Sequence, residues 1–267
     1  MRPFELPRGR RVRLDRLDPD DTAAIGGSRR RAHAESERLT HRLEHLQELL
    51  YADHRRALLL VLEAIDAGGK DGTIRHVFEG VNPQGVRVVH FRVPTAEEAA
   101  HDFLWRVHPH TPARGEIAIF NRSHYEDVIV PRAEGTLPRR ALRHRYRAIN
   151  EFERALVLEG TTVLKCFLHI GQAEQKRRLL ERLRDPTKHW KFTAADLPTR
   201  RRWPEYQRAY EAMLERTHTR WAPWHVIPAN AKWFRDWAVS GLLVGALEAM
   251  DLAWPPLAKE WRSVTIP

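Results

Sequence analysis

Apolar residues in this chain follow two rhythms, and their alternation predicts the architecture. Ala57-Leu58-Leu59-Leu60-Val61-Leu62 is an unbroken apolar run, the pattern of a strand covered on both faces of a parallel sheet. Comparable runs predict strands over 57–63, 86–92, 116–121, 162–169 and 224–228. Between them, helical patterning predicts helices over about 70–79, 96–107, 138–158, 172–184, 204–218 and 231–249, with a further helical stretch, 28–53, before the first strand. Such alternation points to a three-layer α/β fold, a parallel sheet of about five strands flanked by helices. Pro83 and Gly85 supply turn chemistry before the second strand. The chain, 1–267, reads as one domain with an N-terminal helical arm over 1–54, and neither repeats nor low-complexity segments interrupt it.

The first strand runs into Ala64-Ile65-Asp66-Ala67-Gly68-Gly69-Lys70-Asp71-Gly72-Thr73. A buried strand that breaks into a Gly-Gly-Lys turn and then a helix builds a cradle for phosphate. Glycines admit backbone N–H groups close to the oxyanions, and the helix N-terminus adds positive potential. The match to G-x-x-x-x-G-K-[ST] is imperfect: Ala64 replaces the first glycine, and Asp71 replaces the Ser/Thr that usually meets magnesium. The bland alternative is a glycine-rich turn that only closes a strand–helix unit.

Composition narrows the class. A 267-residue chain buries an α/β core without disulfides or metal staples. Its single cysteine, Cys166, lies in an apolar run and reads as a core side chain, so no intrachain disulfide forms, which suits a reducing cytoplasm. Neither a secretory leader nor a stretch near the roughly 20 apolar residues of a membrane helix is visible. The formal net charge of +10 implies an anionic partner or simply a basic surface. Basic clusters recur at Arg29-Arg30-Arg31, Arg139-Arg140, Lys176-Arg177-Arg178 and Arg200-Arg201-Arg202. Each alone reads as a solvated helix face. Eight of nine tryptophans follow residue 180, so large aromatics pack the C-terminal third.

The third strand ends in Asn121-Arg122-Ser123-His124-Tyr125-Glu126-Asp127. Ligands of doubly wound sheets sit beyond the carboxyl ends of strands, so this cluster is expected at the same edge as the Gly-Gly-Lys turn. A guanidinium there can neutralise charge on a phosphoryl group in transfer. Magnesium needs oxygen ligands, and Asp66 with Glu126 or Asp127 are the nearest acids, although those two equally suit the first turn of a helix. Asn121 stands where a Walker B aspartate is usual. A last cluster, Glu174-Gln175-Lys176-Arg177-Arg178 through Arg182 to Lys188-His189-Trp190-Lys191-Phe192, reads as a cationic lid over 171–200 that closes on phosphates. Its alternative is an amphipathic helix with arginines in solvent.

Together these segments resemble the family-2 polyphosphate kinases, P-loop phosphotransferases related in fold to thymidylate kinase. The resemblance spans about 30–250 and rests on Ile65–Thr73, Asn82-Pro83-Gln84-Gly85-Val86, Pro94-Thr95, Gly115-Glu116-Ile117, Phe120–Asp127, the lid motifs, and Ala222-Pro223-Trp224 with Val226-Ile227-Pro228-Ala229. Asn-Arg-Ser-His-Tyr-Glu-Asp is similar to the subgroup that phosphorylates both nucleoside mono- and diphosphates. The departures are Val130-Pro131-Arg132-Ala133 and Asn230-Ala231, the latter where Asp-Arg is expected.

The resemblance implies magnesium-dependent, reversible transfer of a terminal phosphate between inorganic polyphosphate and AMP, ADP or ATP, with manganese as an alternative ion and guanine nucleotides as further substrates. It implies catalysis by Asp66, Lys70 and Arg122, and magnesium on Asp66 and Asp127. Phosphate and nucleotide contacts fall to Ala67, Gly68, Gly69, Asp71, Gly72, Thr73, Asn121, Ser123, Glu126, Arg177, Arg178, Arg182, Lys188 and Lys191. A cytoplasmic homo-oligomer, a dimer or tetramer, is expected, with no nucleic-acid or membrane partner. The rivals are a nucleotide or nucleoside kinase using ATP, and a basic nucleic-acid-binding P-loop protein. The second lacks helix-turn-helix spacing, a zinc-ligand set or an RNA-binding aromatic signature.

Overall fold

A computed structural model describes residues 4–194, 196–261 and 264–266. Five parallel strands, β1 (Ala57–Glu63), β2 (Val86–His90), β3 (Ile117–Asn121), β4 (Thr161–His169) and β5 (Trp224–Pro228), pair in the order β2-β3-β1-β4-β5. Strand β1 is central, and all seven of its residues are buried. Its leucines each contribute roughly 1.5–3 kcal/mol of burial, which explains why this run contains no polar residue before Glu63. In register, Leu62 lies opposite Asn121 of β3 and Cys166 of β4, so β1 and β3 end within one residue of each other and β4 runs two residues past the partner of Glu63.

Helix α1 (Arg29–Asp53) is capped by Ser28, whose side chain accepts from the Arg31 amide, and ends where His54 turns left-handed at φ 54°. It packs on α9 (Lys232–Glu248), a largely buried helix. Residues 4–28 are not α-helical, contrary to a helical arm over 1–54. They form two short 3₁₀ turns, Leu14–Arg16 and Ala23–Ile25, and cover the β5 edge. There the Val226 amide donates to Phe4 O at 2.9 Å and the Leu6 amide to Trp224 O at 3.2 Å, which removes an open sheet edge.

The remaining helices are α2 (Lys70–Val77), α3 (Ala96–Ala100), α4 (Glu126–Glu134), α5 (Arg139–Leu158), α6 (Gln172–Arg184), α7 (Asp196–Arg201) and α8 (Trp203–Thr217). Two differences from the sequence reading matter. The helix expected over 96–107 stops at Ala100, because Asp102 takes the Leu104 amide and the chain continues in turns. Helix α4 has no counterpart among the helices expected from the patterning, although Glu126 and Asp127 suit a helix's first turn, and it contains Pro131. Pro131 cannot donate to the carbonyl four residues earlier. That carbonyl, Asp127 O, accepts instead from Arg145 Nη1 at 2.7 Å, and the helix persists.

Candidate active site

The phosphate loop lies between β1 and α2. Ala67 is left-handed at φ 62° and Gly69 at φ 107°. A Cβ on Gly68 would come within 2.4 Å of the Ala64 Cβ and 2.7 Å of Ile65 O, so glycine is obligatory there. The amides of the first turn of α2 have no partners within the helix and form the anion-facing rim, with Asp71 and Gly72 exposed. Lys70 is buried and donates to Ala64 O at 2.8 Å. Burial, then the nearby Arg122 charge, holds its pKa below the ordinary lysine value. Thr73 is also buried, its hydroxyl donating to Gly69 O.

Arg122 begins the turn after β3 with φ 62°, a strained conformation for a non-glycine residue and one typical of functional sites. Its Nη2 meets Asp66 Oδ1 at 2.5 Å, and its Nε is 4.0 Å from Glu126 Oε1. Carboxylates on two sides raise the guanidinium pKa further, Glu126 contributing most. Asp66, Lys70 and Arg122, the three residues expected to catalyse, therefore belong to one charge network at the sheet's carboxyl edge.

Several expected ligands bond to other side chains of the site. Ser123 is fully buried and donates to Glu63 Oε1 at 2.7 Å while accepting from the Tyr125 amide. Asn121 is buried and its amide donates to Asp71 Oδ1 at 2.6 Å. Asp71 and Asn121, standing where Ser/Thr and a Walker B aspartate are usual, thus bond to each other. Burial opposes ionisation of Asp71, but the Asn121 hydrogen bond and Lys70 keep its pKa below the usual value. Asp127 is paired with Arg106 at 3.0 Å, and Arg145 stands 3.9 Å from its other oxygen.

The turn is held from behind by a buried ion pair. Lys165 donates to Glu153 Oε2 at 2.7 Å, to Tyr125 Oη at 2.9 Å and to Thr217 O at 2.7 Å, and Tyr125 donates to Glu153 Oε1. Glu153 stays below the usual carboxylate pKa because Lys165 and His124 outweigh its burial.

Over 172–191, expected as part of a lid, the structure separates the cations. Arg178 is buried under the loop, donating to Ala67 O, Gly68 O, Ala229 O and Asn230 O, and to Glu174. In this position it braces the phosphate loop from beneath. Arg177 pairs with Glu174 and Glu181, Lys188 with Glu181 and Asp185, and Arg182 donates to Lys191 O. Lys191 Nζ lies 5.0 Å from the Trp190 ring centre. The departure at Asn230 has a structural use: its side chain accepts from the Gly171 amide at the start of α6 and donates to Asp20.

Sequence reasoning missed three residues here. Glu63 ends β1 with Oε2 buried and without a hydrogen-bond partner, and burial together with Glu126 pushes its pKa up to about 8. Gln175 is fully buried and donates to Asp66 O at 3.1 Å, tying α6 to the loop. Arg235, on α9, packs so closely that a Cβ on Gly69 would lie 2.1 Å from its Nη1. Long-range partners, not local spacing, define all three.

The oxygen donors suit a hard cation. Among the described residues no three His, Cys, Asp or Glu side chains converge as a ready-made metal cage. Asp66 and Glu126 nonetheless offer carboxylate at the loop. Magnesium is commonly held by one or two carboxylates plus substrate phosphates, so the residues present fit it.

Comparison with known proteins agrees with this geometry. The family model "Polyphosphate kinase 2 (PPK2)" matches residues 27–254. An AMP/ADP-polyphosphate phosphotransferase of Meiothermus ruber is 54% identical over 255 residues, 96% of each chain. An ADP-polyphosphate phosphotransferase of Rhodopseudomonas palustris is 42% identical, covering 80% of this chain and 78% of the relative. The crystal structure of polyphosphate kinase 2 from Arthrobacter aurescens TC1 superposes with a TM-score of 0.91 at 42% identity, covering 95% of this chain and 90% of that one. On the extent of these matches and the P-loop, turn and sheet just described, the chain belongs to the polyphosphate kinase 2 family.

Proposed function

We propose that the protein transfers the terminal phosphoryl group between inorganic polyphosphate and AMP or ADP, reversibly and with magnesium. The observation that carries this reading is the Asp66–Arg122–Lys70 network at the phosphate loop, beside a segment, 172–191, that holds seven Lys/Arg residues against three acids. A long polyanionic donor needs that excess of positive charge more than a single nucleotide does. A phosphate oxygen of the acceptor attacks the terminal phosphorus, the bridging P–O bond breaks, and polyphosphate leaves one unit shorter. The acceptor oxygen is already anionic near neutral pH, so orientation and charge neutralisation perform the catalysis without a strong general base.

Arg122 neutralises the group in transfer, with Asp66 fixing its guanidinium. Lys70 releases Ala64 O to meet the phosphates. Asp66 with Glu126 would hold magnesium, which would supply charge neutralisation to the phosphates. Glu126 also seats a monophosphate acceptor. The relatives named for AMP and ADP support this acceptor range, and manganese as substitute ion, guanine nucleotides as further acceptors and a homo-oligomeric state complete the proposal. Incubating pure protein with magnesium, polyphosphate and AMP or ADP, followed by nucleotide chromatography, tests it. Formation of ADP and ATP is expected. ATP-driven phosphorylation of a nucleoside without polyphosphate-driven product would favour the ordinary kinase reading instead.

A further inference from the structure

Between β2 and β3 the chain makes an excursion, 91–116, along the sheet's outer edge on the side of β1 opposite the lid. His90, the last residue of β2, is in register with Asn121, so the residues just past it border the reaction edge. Their character contrasts with the lid. Residues 92–106 carry two arginines against three acids, a poor surface for a polyanion chain. They do present an exposed apolar contact, Val93, which is 89% exposed between Arg92 and Pro94. In-line transfer requires donor and acceptor to approach phosphorus from opposite sides. With the cation-rich lid on the β4 side, the excursion on the β2 side is left to the nucleoside.

One ion pair ties this excursion to the catalytic turn. Arg106 is buried; its Nη1 donates to Arg92 O at 2.7 Å and its Nη2 to Asp127 Oδ2 at 3.0 Å. Glu98, held in a reciprocal cap with Thr95, lies 3.7 Å from the same guanidinium. The Arg106 guanidinium carbon also sits 5.7 Å from the Phe91 ring centre. On the other side, Asp127 is the second residue of α4, directly after Glu126, and its carbonyl is held by Arg145, whose guanidinium covers Phe103 at 4.9 Å. Pro131 leaves that carbonyl without its helical donor, and Arg145 supplies one.

We propose that Arg106 and Asp127 form a positioning pair that fixes residues 92–105 as the wall for the acceptor's nucleoside, with Val93 as its apolar contact. This rests on the function proposed above. Asp127 then acts through Arg106 and Arg145 on the position of the wall and of Glu126, and not as a metal ligand. Because the contact is apolar and exposed, it suits a base held with little discrimination.

Steady-state kinetics with nucleotide, polyphosphate and magnesium varied separately test the pair. In Asp127→Asn and Arg106→Ala, KM for AMP and ADP is expected to rise at least fivefold, with KM for polyphosphate and the magnesium activation constant within twofold of wild type. Arg106→Lys should recover part of the loss. Val93→Ser, on an exposed position that leaves folding untouched, should raise nucleotide KM about threefold. A magnesium activation constant shifted in Asp127→Asn with nucleotide KM unchanged would overturn the pair in favour of a metal-ligand role. Equal shifts in both substrates' KM, or unchanged nucleotide KM in Val93→Ser, would overturn it too. A wild-type protein that makes no ADP or ATP from polyphosphate would instead sink the proposed function on which the pair depends.

Discussion

Arg178 gives the sharpest test, because the sequence and the structure assign it different work. Alanine there removes a guanidinium that serves four main-chain carbonyls, two of them in the phosphate loop, and the Glu174 carboxylate. A buried acceptor left without its donor costs about 1–3 kcal/mol. Water entering the vacated space restores some of those bonds, so a net loss of roughly 3–5 kcal/mol is expected, as for breaking a buried pair. For a domain of this size each kcal/mol lowers Tm by about 2–4 °C, which predicts a drop of roughly 6–20 °C. The loop would also lose its brace, and a misplacement near 1 Å can cost about 100-fold in rate. Differential scanning fluorimetry and initial rates at saturating polyphosphate measure both quantities. Arg29→Ala, at the exposed start of α1, should change neither. If Arg178→Ala melts within about 2 °C of wild type while KM for polyphosphate rises, the residue contacts substrate and the brace argument fails.

Lys70→Ala should reduce turnover at least 100-fold, with a modest fall in Tm from the lost bond to Ala64 O; half the wild-type rate would make the loop merely structural. Glu126→Asn should suppress AMP phosphorylation more than ADP phosphorylation, and an unchanged ratio of the two rates on one preparation would remove its acceptor role. Glu63 carries a pH signature. Its folded pKa, about 8, lies above the usual 4.5, so its stabilising contribution is complete below pH 4.5 and is lost as pH rises through 8. Glu63→Gln keeps an acceptor for Ser123 without titrating, so its stability relative to wild type should grow between pH 5 and pH 8. At roughly 1.4 kcal/mol per unit this gain reaches up to about 4–5 kcal/mol in metal-free buffer, and a pH-independent difference would refute it. Lys165→Met should destabilise by about 3–5 kcal/mol by stranding Glu153, and adding Glu153→Gln should recover much of the loss; additive losses in thermal melts would contradict this.

The sheet was readable because its strands are short, continuous apolar runs closed by turn residues. The phosphate loop was readable because glycine and lysine must occupy fixed offsets there. The start of helix α4 was legible in Glu126 and Asp127, but not its course past Pro131, where Arg145, fourteen residues away and on another helix, serves the carbonyl the proline leaves. The role of Arg178 was hidden for a related reason. Spacing of four shows which helix face a residue shares, but not that this face lies beneath the loop carbonyls. Glu63 looked like the last residue of a strand, and its partner Ser123 is sixty positions distant. Roles set by tertiary partners leave little local trace.

The Asn121–Asp71 hydrogen bond has a consequence for how such chains can be changed. In the usual arrangement a hydroxyl beside the lysine faces a carboxylate at the strand end; here the acid stands beside the lysine and the amide at the strand end donates to it. Donor and acceptor have traded places across the same gap. Either position altered alone therefore creates a mismatch: Asn121→Asp would set two carboxylates against each other, and Asp71→Ser would leave the asparagine amide facing a weaker acceptor. The two sites behave as one unit of inheritance and of engineering, to be exchanged together or left alone.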